Sequence, residues 1–231
     1  MRGLSKHFSA IVNAIGNVLG RKQQRGANTS SGPTPSSTLA TAVTPPCLTI
    51  LDGGEVALEV LQAMSYRKVL KTATIISYNM QDYDFWGHGN LSHLLLKQLS
   101  YGASVRLMTT PPPGKPTNNG FKLKYKLLSE LQKNGVQVFL NEKLHAKAYL
   151  FLDADGTSTA IIGSANLTGP GFGMHLAPHD NLVEMAIICG DAVIYSNANT
   201  FVDSKIVADK RTEDFATWFS KNSVEIGKAG L

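Results

Sequence analysis

Two short β-prone runs on either side of a turn-rich hexapeptide constrain this chain more than any other stretch. Residues 148–152 (AYLFL) and 159–162 (TAII) carry the apolar, aromatic and β-branched side chains that strands favour. Residues 153–158 (DADGTS) between them have the composition of a hairpin turn. His145 and Lys147 stand two apart at the head of the first run, so a strand there puts both on one face. The second run leads into Gly163-Ser164-Ala165-Asn166. Closing the hairpin gathers His145, Lys147, Ser164 and Asn166. These groups suit a phosphodiester: an imidazole attacks phosphorus or carries a proton, while an ammonium and an amide hold negative oxygens.

Residues 145–166 resemble the H-x-K…G-S-x-N signature of the phospholipase D (HKD) superfamily, and His145, Lys147, Ser164 and Asn166 match it position by position. The family pattern has an Asp five residues after the Lys, where this chain has Leu152, with Asp153 and Asp155 following. The step from His145 to Gly163 is slightly longer than usual. Weaker similarity of pattern covers residues 48–206, clearest over 135–188. The resemblance implies a single-motif, nuclease-like member that pairs into a homodimer, with two copies of His145 and Lys147 facing one phosphate. It also implies a phosphohistidine on one His145, proton transfer by the other, and catalysis without metal or cofactor. At the matching family position, Glu184 is implied to orient the histidine; as a lone acid in the run NLVEMA it needs a partner if buried.

The chain has 231 residues, 43% hydrophobic and 17% charged, enough for one main domain with a full core. Cys47 and Cys189 form no CxxC or Cys/His metal spacing, so a reducing compartment is expected. Arg2, Lys6, Arg21, Lys22 and Arg25 precede the first acid; without these five of the 22 basic residues, 17 remain against 17 acidic ones. The remainder is neutral overall, and a broadly cationic nucleic-acid surface is not indicated.

Three segments are expected. Residues 1–25 form a basic amphipathic helix, with Leu4, Phe8, Ile11, Val12, Ile15, Val18 and Leu19 on one stripe. It docks on protein, lies on an anionic membrane through residues 4–19, or serves as an organellar targeting segment. The expected location is cytoplasmic, with membrane association or organellar targeting as the alternatives. Residues 26–47 are a Ser/Thr/Pro-rich linker, and residues 48–231 form the catalytic domain.

In that domain, helices are expected over 55–69, 91–101, 121–133, 192–206 and 212–221. Strands are expected over 73–78, 104–109, 136–140, 182–188 and the two hairpin runs. This alternation predicts an α/β fold: a mixed β-sheet sandwiched between helices.

Other polar residues are weaker candidates. Lys115, in the Pro/Gly-rich loop 111–120, His88 in WGHGN, and His179 in the loop 169–181 are candidate substrate contacts. His175 and His179 have no helical frame for a metal site. Asn90 is placed to cap the helix after it. Tyr78, Tyr83, Phe85 and Trp86 suit core packing at least as well as base stacking. For substrate, the leading expectation is DNA or RNA, the alternative a phospholipid of cardiolipin type, and a third reading a non-catalytic nucleic-acid-binding module.

Overall fold

Near-continuous apolar runs in the central strands build one eight-stranded sheet whose middle is buried on both faces. The computed structural model describes residues 48–65, 69–173 and 184–231. The expectations for residues 1–47, and those for His175 and His179, fall outside the described residues. The strands are β1 (Leu48–Asp52), β2 (Leu70–Ile76), β3 (Ser104–Thr109), β4 (Gln137–Asn141), β5 (Ala148–Asp153), β6 (Ser158–Gly163), β7 (Met185–Cys189) and β8 (Thr212–Asp214). Their order across the sheet is β1-β7-β6-β5-β2-β3-β4-β8. The pairs β2–β3 and β3–β4 are parallel and the rest antiparallel.

Period-two alternation divides the strands between two cores. Tyr149, Phe151, Ile161, Ile75 and Leu107 point to one face, where they meet α1 (Gly53–Ser65), α2 (Leu91–Ser100), α3 (Asn119–Lys133) and α5 (Phe215–Lys228). Ala148, Leu150, Ala160, Ile76 and Met108 point to the other, covered by α4 (Ala192–Phe201) and the π-helical turn Val202–Val207 that continues it. Arg106 on β3 fastens this second layer, donating to Asp203 at 2.6 Å, Asn199 at 3.1 Å and Thr74 at 3.3 Å. The expected mixed sheet between helices is the observed architecture.

Several boundaries differ from the sequence reading. β1 was not foreseen; it forms at the sheet edge by pairing with β7, and only Leu51 of its five residues is buried. The first helix runs Gly53–Ser65 rather than 55–69, because the Asp52 carboxylate accepts from the Glu55 amide and starts it earlier. β2 ends at Ile76, two residues short, where Ser77 and Tyr78 turn toward the site. The expected helix 192–206 divides at Phe201 into α4 and the π turn. Residues Thr212–Asp214, read as the start of a helix, pair with β4 instead; Asp214 then caps α5 by accepting from the Thr217 amide. Asn90 precedes α2 but makes no side-chain cap; its amide donates to Asp82, whose carboxylate also accepts from the Ser92 amide.

Candidate active site

The carboxyl ends of β2, β3 and β6 and the amino ends of β5 and β7 lie at the same end of the sheet, and the chemistry-bearing residues are collected there. The β5–β6 hairpin closes as expected, with Ala148 opposite Ile162 and Leu152 opposite Ser158. Its turn is held by the Asp153 amide donating to the Thr157 carbonyl at 2.8 Å. Gly163 follows without a side chain for a steric reason. A Cβ there would stand 2.4 Å from the Met185 carbonyl oxygen and 2.5 Å from the Ala186 Cα, so β6 and β7 could not approach.

His145 and Lys147 precede β5 and are not themselves in the strand. Lys147 is buried; its Nζ lies 3.2 Å from Nδ1 of His145, which is exposed. Burial lowers the His145 pKa from its ordinary value, and the Lys147 charge lowers it further. Burial also lowers the Lys147 pKa, partly offset by the Glu184 carboxylate.

Ser164 and Glu184 form a second pair. The Ser164 hydroxyl makes a short hydrogen bond to the Glu184 carboxylate and accepts from the Met185 amide at 3.1 Å. The resemblance implied that Glu184 orients His145; within this chain its carboxylate bonds Ser164, while Lys147 Nζ lies at Nδ1 of the imidazole. Glu184 also lies just before β7 rather than inside a strand spanning 182–188. Asn166 is fixed by its Oδ1, which accepts from the Asn79 amide at 3.2 Å. That leaves the amide hydrogens of Asn166 as donors.

The Ser164–Gly169 loop is pinned from several sides. Tyr149 donates its hydroxyl to the Ala165 carbonyl at 2.7 Å, and the Leu167 amide donates to the Ser77 hydroxyl at 2.9 Å. The Gln81 amide meets the Leu167 carbonyl at 3.0 Å. A Cβ on Gly171 would stand 2.5 Å from the Asn166 carbonyl oxygen, so the returning chain also requires a glycine there.

The remaining candidates fall elsewhere. Asp153 is buried at the far end of β5, roughly 20 Å along the strand from Lys147 at ~3.3 Å per residue, and takes no part in this cluster. Lys115 and His88 are exposed on the loops after β3 and β2. Tyr78, for which core packing and base stacking were both open, lies beside the cluster. The Tyr78 ring stacks on His145, centroids 5.0 Å apart and planes 30° apart, with Lys147 Nζ 5.7 Å from its centre. Its position just after a strand was the available signal; that the strand ends beside the hairpin follows from the pairing of β2 with β5. Among the described residues, no group of three or more His, Cys, Asp or Glu side chains is placed to hold a metal ion.

Residues 66–215 match the family described as cardiolipin synthase, PLD-like domain. The chain belongs to this family of the phospholipase D superfamily. The match spans the hairpin, the Gly-Ser-Ala-Asn loop and Glu184 together. Among solved structures, this PLD-like domain is similar to Nuc from Salmonella typhimurium, described as a phospholipase D family member. Identity is 15%, the likeness covers 74% of this chain and 99% of that one, and the TM-score is 0.51. It is also similar to the phosphatidylserine synthase of Haemophilus influenzae Rd KW20, at 10% identity and TM-score 0.52, covering 71% of this chain and 38% of that one. At such identities the likeness is one of fold. No curated protein matches the sequence.

Proposed function

We propose that this PLD-like domain is a metal-independent phosphodiesterase, an endonuclease of DNA or RNA whose active site is shared by two chains. The observation that carries the reading is the meeting of His145, Lys147, Ser164, Glu184 and Asn166 at one end of the sheet.

One His145 attacks phosphorus through Nε2; the P–O bond to the leaving alkoxide breaks as the P–N bond forms. The partner chain's His145 delivers a proton to that oxygen, then takes one from water as the water displaces histidine and releases a phosphomonoester. Lys147 bears on both roles. A charged ammonium donating to Nδ1 fits a neutral ring with its proton on Nε2; the imidazolium that protonates the leaving oxygen carries hydrogen on both nitrogens, so Lys147 leaves Nδ1 in that state as well. The attacking imidazole needs Nε2 bare, so there Lys147 turns to the phosphate oxygens and Nδ1–H requires an acceptor. Two Lys147 and two Asn166 donors then meet the charge of the transition state, with Ser164 holding the loop that carries Asn166.

The family description favours one second reading, a phospholipid substrate of cardiolipin type. No helix among the described residues is long and apolar enough to cross a membrane, so contact with lipid on this reading falls to residues 4–19 or to surface side chains.

Purified protein incubated in EDTA with plasmid, single-stranded RNA or cardiolipin vesicles separates the readings. Nucleic-acid cleavage that persists in EDTA and is lost in His145→Ala is the expected result. Lipid turnover alone replaces the nuclease reading with the phospholipase one. A strict requirement for a divalent metal, or full activity in His145→Ala, overturns the mechanism. Sedimentation of a fully active monomer overturns the shared site.

A further inference from the structure

We propose that Lys124 and Thr110 are positioning residues for His145: together they fix the backbone of Tyr78, whose ring in turn sets the imidazole. This inference deepens the phosphodiesterase reading and rests on it.

Lys124 stands where an apolar residue belongs. It falls on the core-facing side of α3 with Phe121, Leu127, Leu128 and Leu131, and is only 5% exposed. Among the described residues no carboxylate pairs with it, and its Nζ donates to the Thr110 hydroxyl at 2.8 Å. A lysine so placed is a cost to folding. The contact it makes leads out of the core and into the site.

Thr110 passes the contact on by donating its hydroxyl to the Tyr78 carbonyl at 2.9 Å, and the Thr109 hydroxyl reaches the same oxygen at 3.4 Å. With Lys124 donating to it, the Thr110 oxygen has its own hydrogen directed at that carbonyl and no competing orientation. The carbonyl belongs to the residue at which the chain leaves β2, two residues beyond the last strand pair, Ile76 with Met108. The ladder to β3 ends one residue earlier, where the Ser77 amide donates to the Met108 carbonyl at 3.0 Å, and the Tyr78 carbonyl itself is held by the two threonine hydroxyls.

The Tyr78 ring needs that hold because packing does not supply one. It is 42% exposed, yet it lies against His145 at 5.0 Å and beneath the Lys147 ammonium at 5.7 Å. Stacking blocks rotation of the imidazole about its Cβ–Cγ bond and so fixes the direction of Nε2. A ring free to swing would leave the nucleophile pointing over a wider cone, and a displacement of about 1 Å in such a group costs up to ~100-fold in rate.

The test uses the full chain, a chromogenic phosphodiester such as bis(p-nitrophenyl) phosphate, and the carbon-bound ring protons of His145 observed by NMR. Those protons carry the ring-current shift of Tyr78. Thr110→Val removes the hydroxyl at a partly exposed position, Thr110→Ser keeps it, and Lys124→Met removes the buried amine. In Thr110→Val and Lys124→Met, kcat is expected to fall by about tenfold with KM little changed. The His145 signals move toward those of Tyr78→Ala, and Thr110→Ser behaves as wild type. Unmoved His145 signals with unchanged kcat in Thr110→Val overturn the inference, even where Lys124→Met fails to fold. Moved signals with unchanged kcat show that the ring is held but does not matter for catalysis, which also overturns it. A wild-type protein that leaves every phosphodiester intact, with NMR signals responding as described, overturns the proposed function rather than the Thr110–Tyr78 connection.

Discussion

Lys147 Nζ lies 3.2 Å from His145 Nδ1, so a cation and a titratable base share one contact. Burial is the larger cause of the lowered His145 pKa and the Lys147 charge the smaller. Replacing Lys147 with Met therefore raises the His145 pKa without bringing it fully back to the ordinary value of about 6.5. An NMR titration of the His145 ring in both proteins reads this directly, and an unchanged midpoint would show that the ammonium does not reach the imidazole in solution. Activity falls much further than the pKa moves, by on the order of 100-fold or more, because the proposed mechanism also has Lys147 donate to the phosphate.

Glu184 acts on Lys147 in the opposite direction, since its charge partly restores the lysine pKa that burial lowers. Glu184→Gln keeps a side chain able to accept from Ser164 and removes the charge. The Lys147 pKa then drops further, the ammonium is lost at lower pH, and the alkaline limb of kcat/KM moves to lower pH. A pH–rate profile checks the sign: a limb that stays in place or moves up rules out Glu184 as the source of that field.

Gly163 is a purely steric case. With a Cβ only 2.4 Å from the Met185 carbonyl oxygen, Gly163→Ala separates β6 from β7 beside the Ser164–Glu184 pair. A loss of ~2 kcal/mol or more is expected, in the range of overpacked cores, together with reduced activity. Urea denaturation monitored by far-UV circular dichroism measures it, and stability equal to wild type would mean that the two strands are not packed this closely.

What the sequence made legible is local in origin. The hairpin could be read because its two strands are neighbours in the chain, and β3 was placed at both ends because its alternation is strong and a turn precedes it. β1 and β8 could not be read: five mostly exposed residues after a proline pair and three residues before a helix become strands only by pairing with β7 and β4. The same division runs through the site. His145, Lys147, Ser164 and Asn166 lie within one short stretch, whereas the Ser164–Glu184 bond and the Tyr78–His145 stack depend on β6 meeting β7 and β2 meeting β5. Lys124 left one readable sign, a charge at a position of α3 where the periodicity calls for an apolar side chain.

That misplaced charge also has a signature in stability. Burial lowers the Lys124 pKa from 10.5 to about 8. Below pH 8 the amine is charged in both folded and unfolded chains, and the folded state bears the full cost of burying it. Between pH 8 and 10.5 the unfolded chain binds the proton and the folded one does not, so stability rises with pH and the penalty is gone above 10.5. The shift corresponds to on the order of 3 kcal/mol at 1.36 kcal/mol per pKa unit, against which stands about 1 kcal/mol for the hydrogen bond to Thr110. Lys124→Met is therefore expected to stabilise the fold by ~2 kcal/mol at pH 7, with the gain shrinking as pH approaches 10.5. Urea denaturation at pH 7, 9 and 10.5 checks both size and slope. A destabilised variant, or a gain independent of pH, would mean that the amine is solvated or paired in solution. A variant that is more stable yet slower is the outcome expected of a lysine retained for the site at the expense of the core.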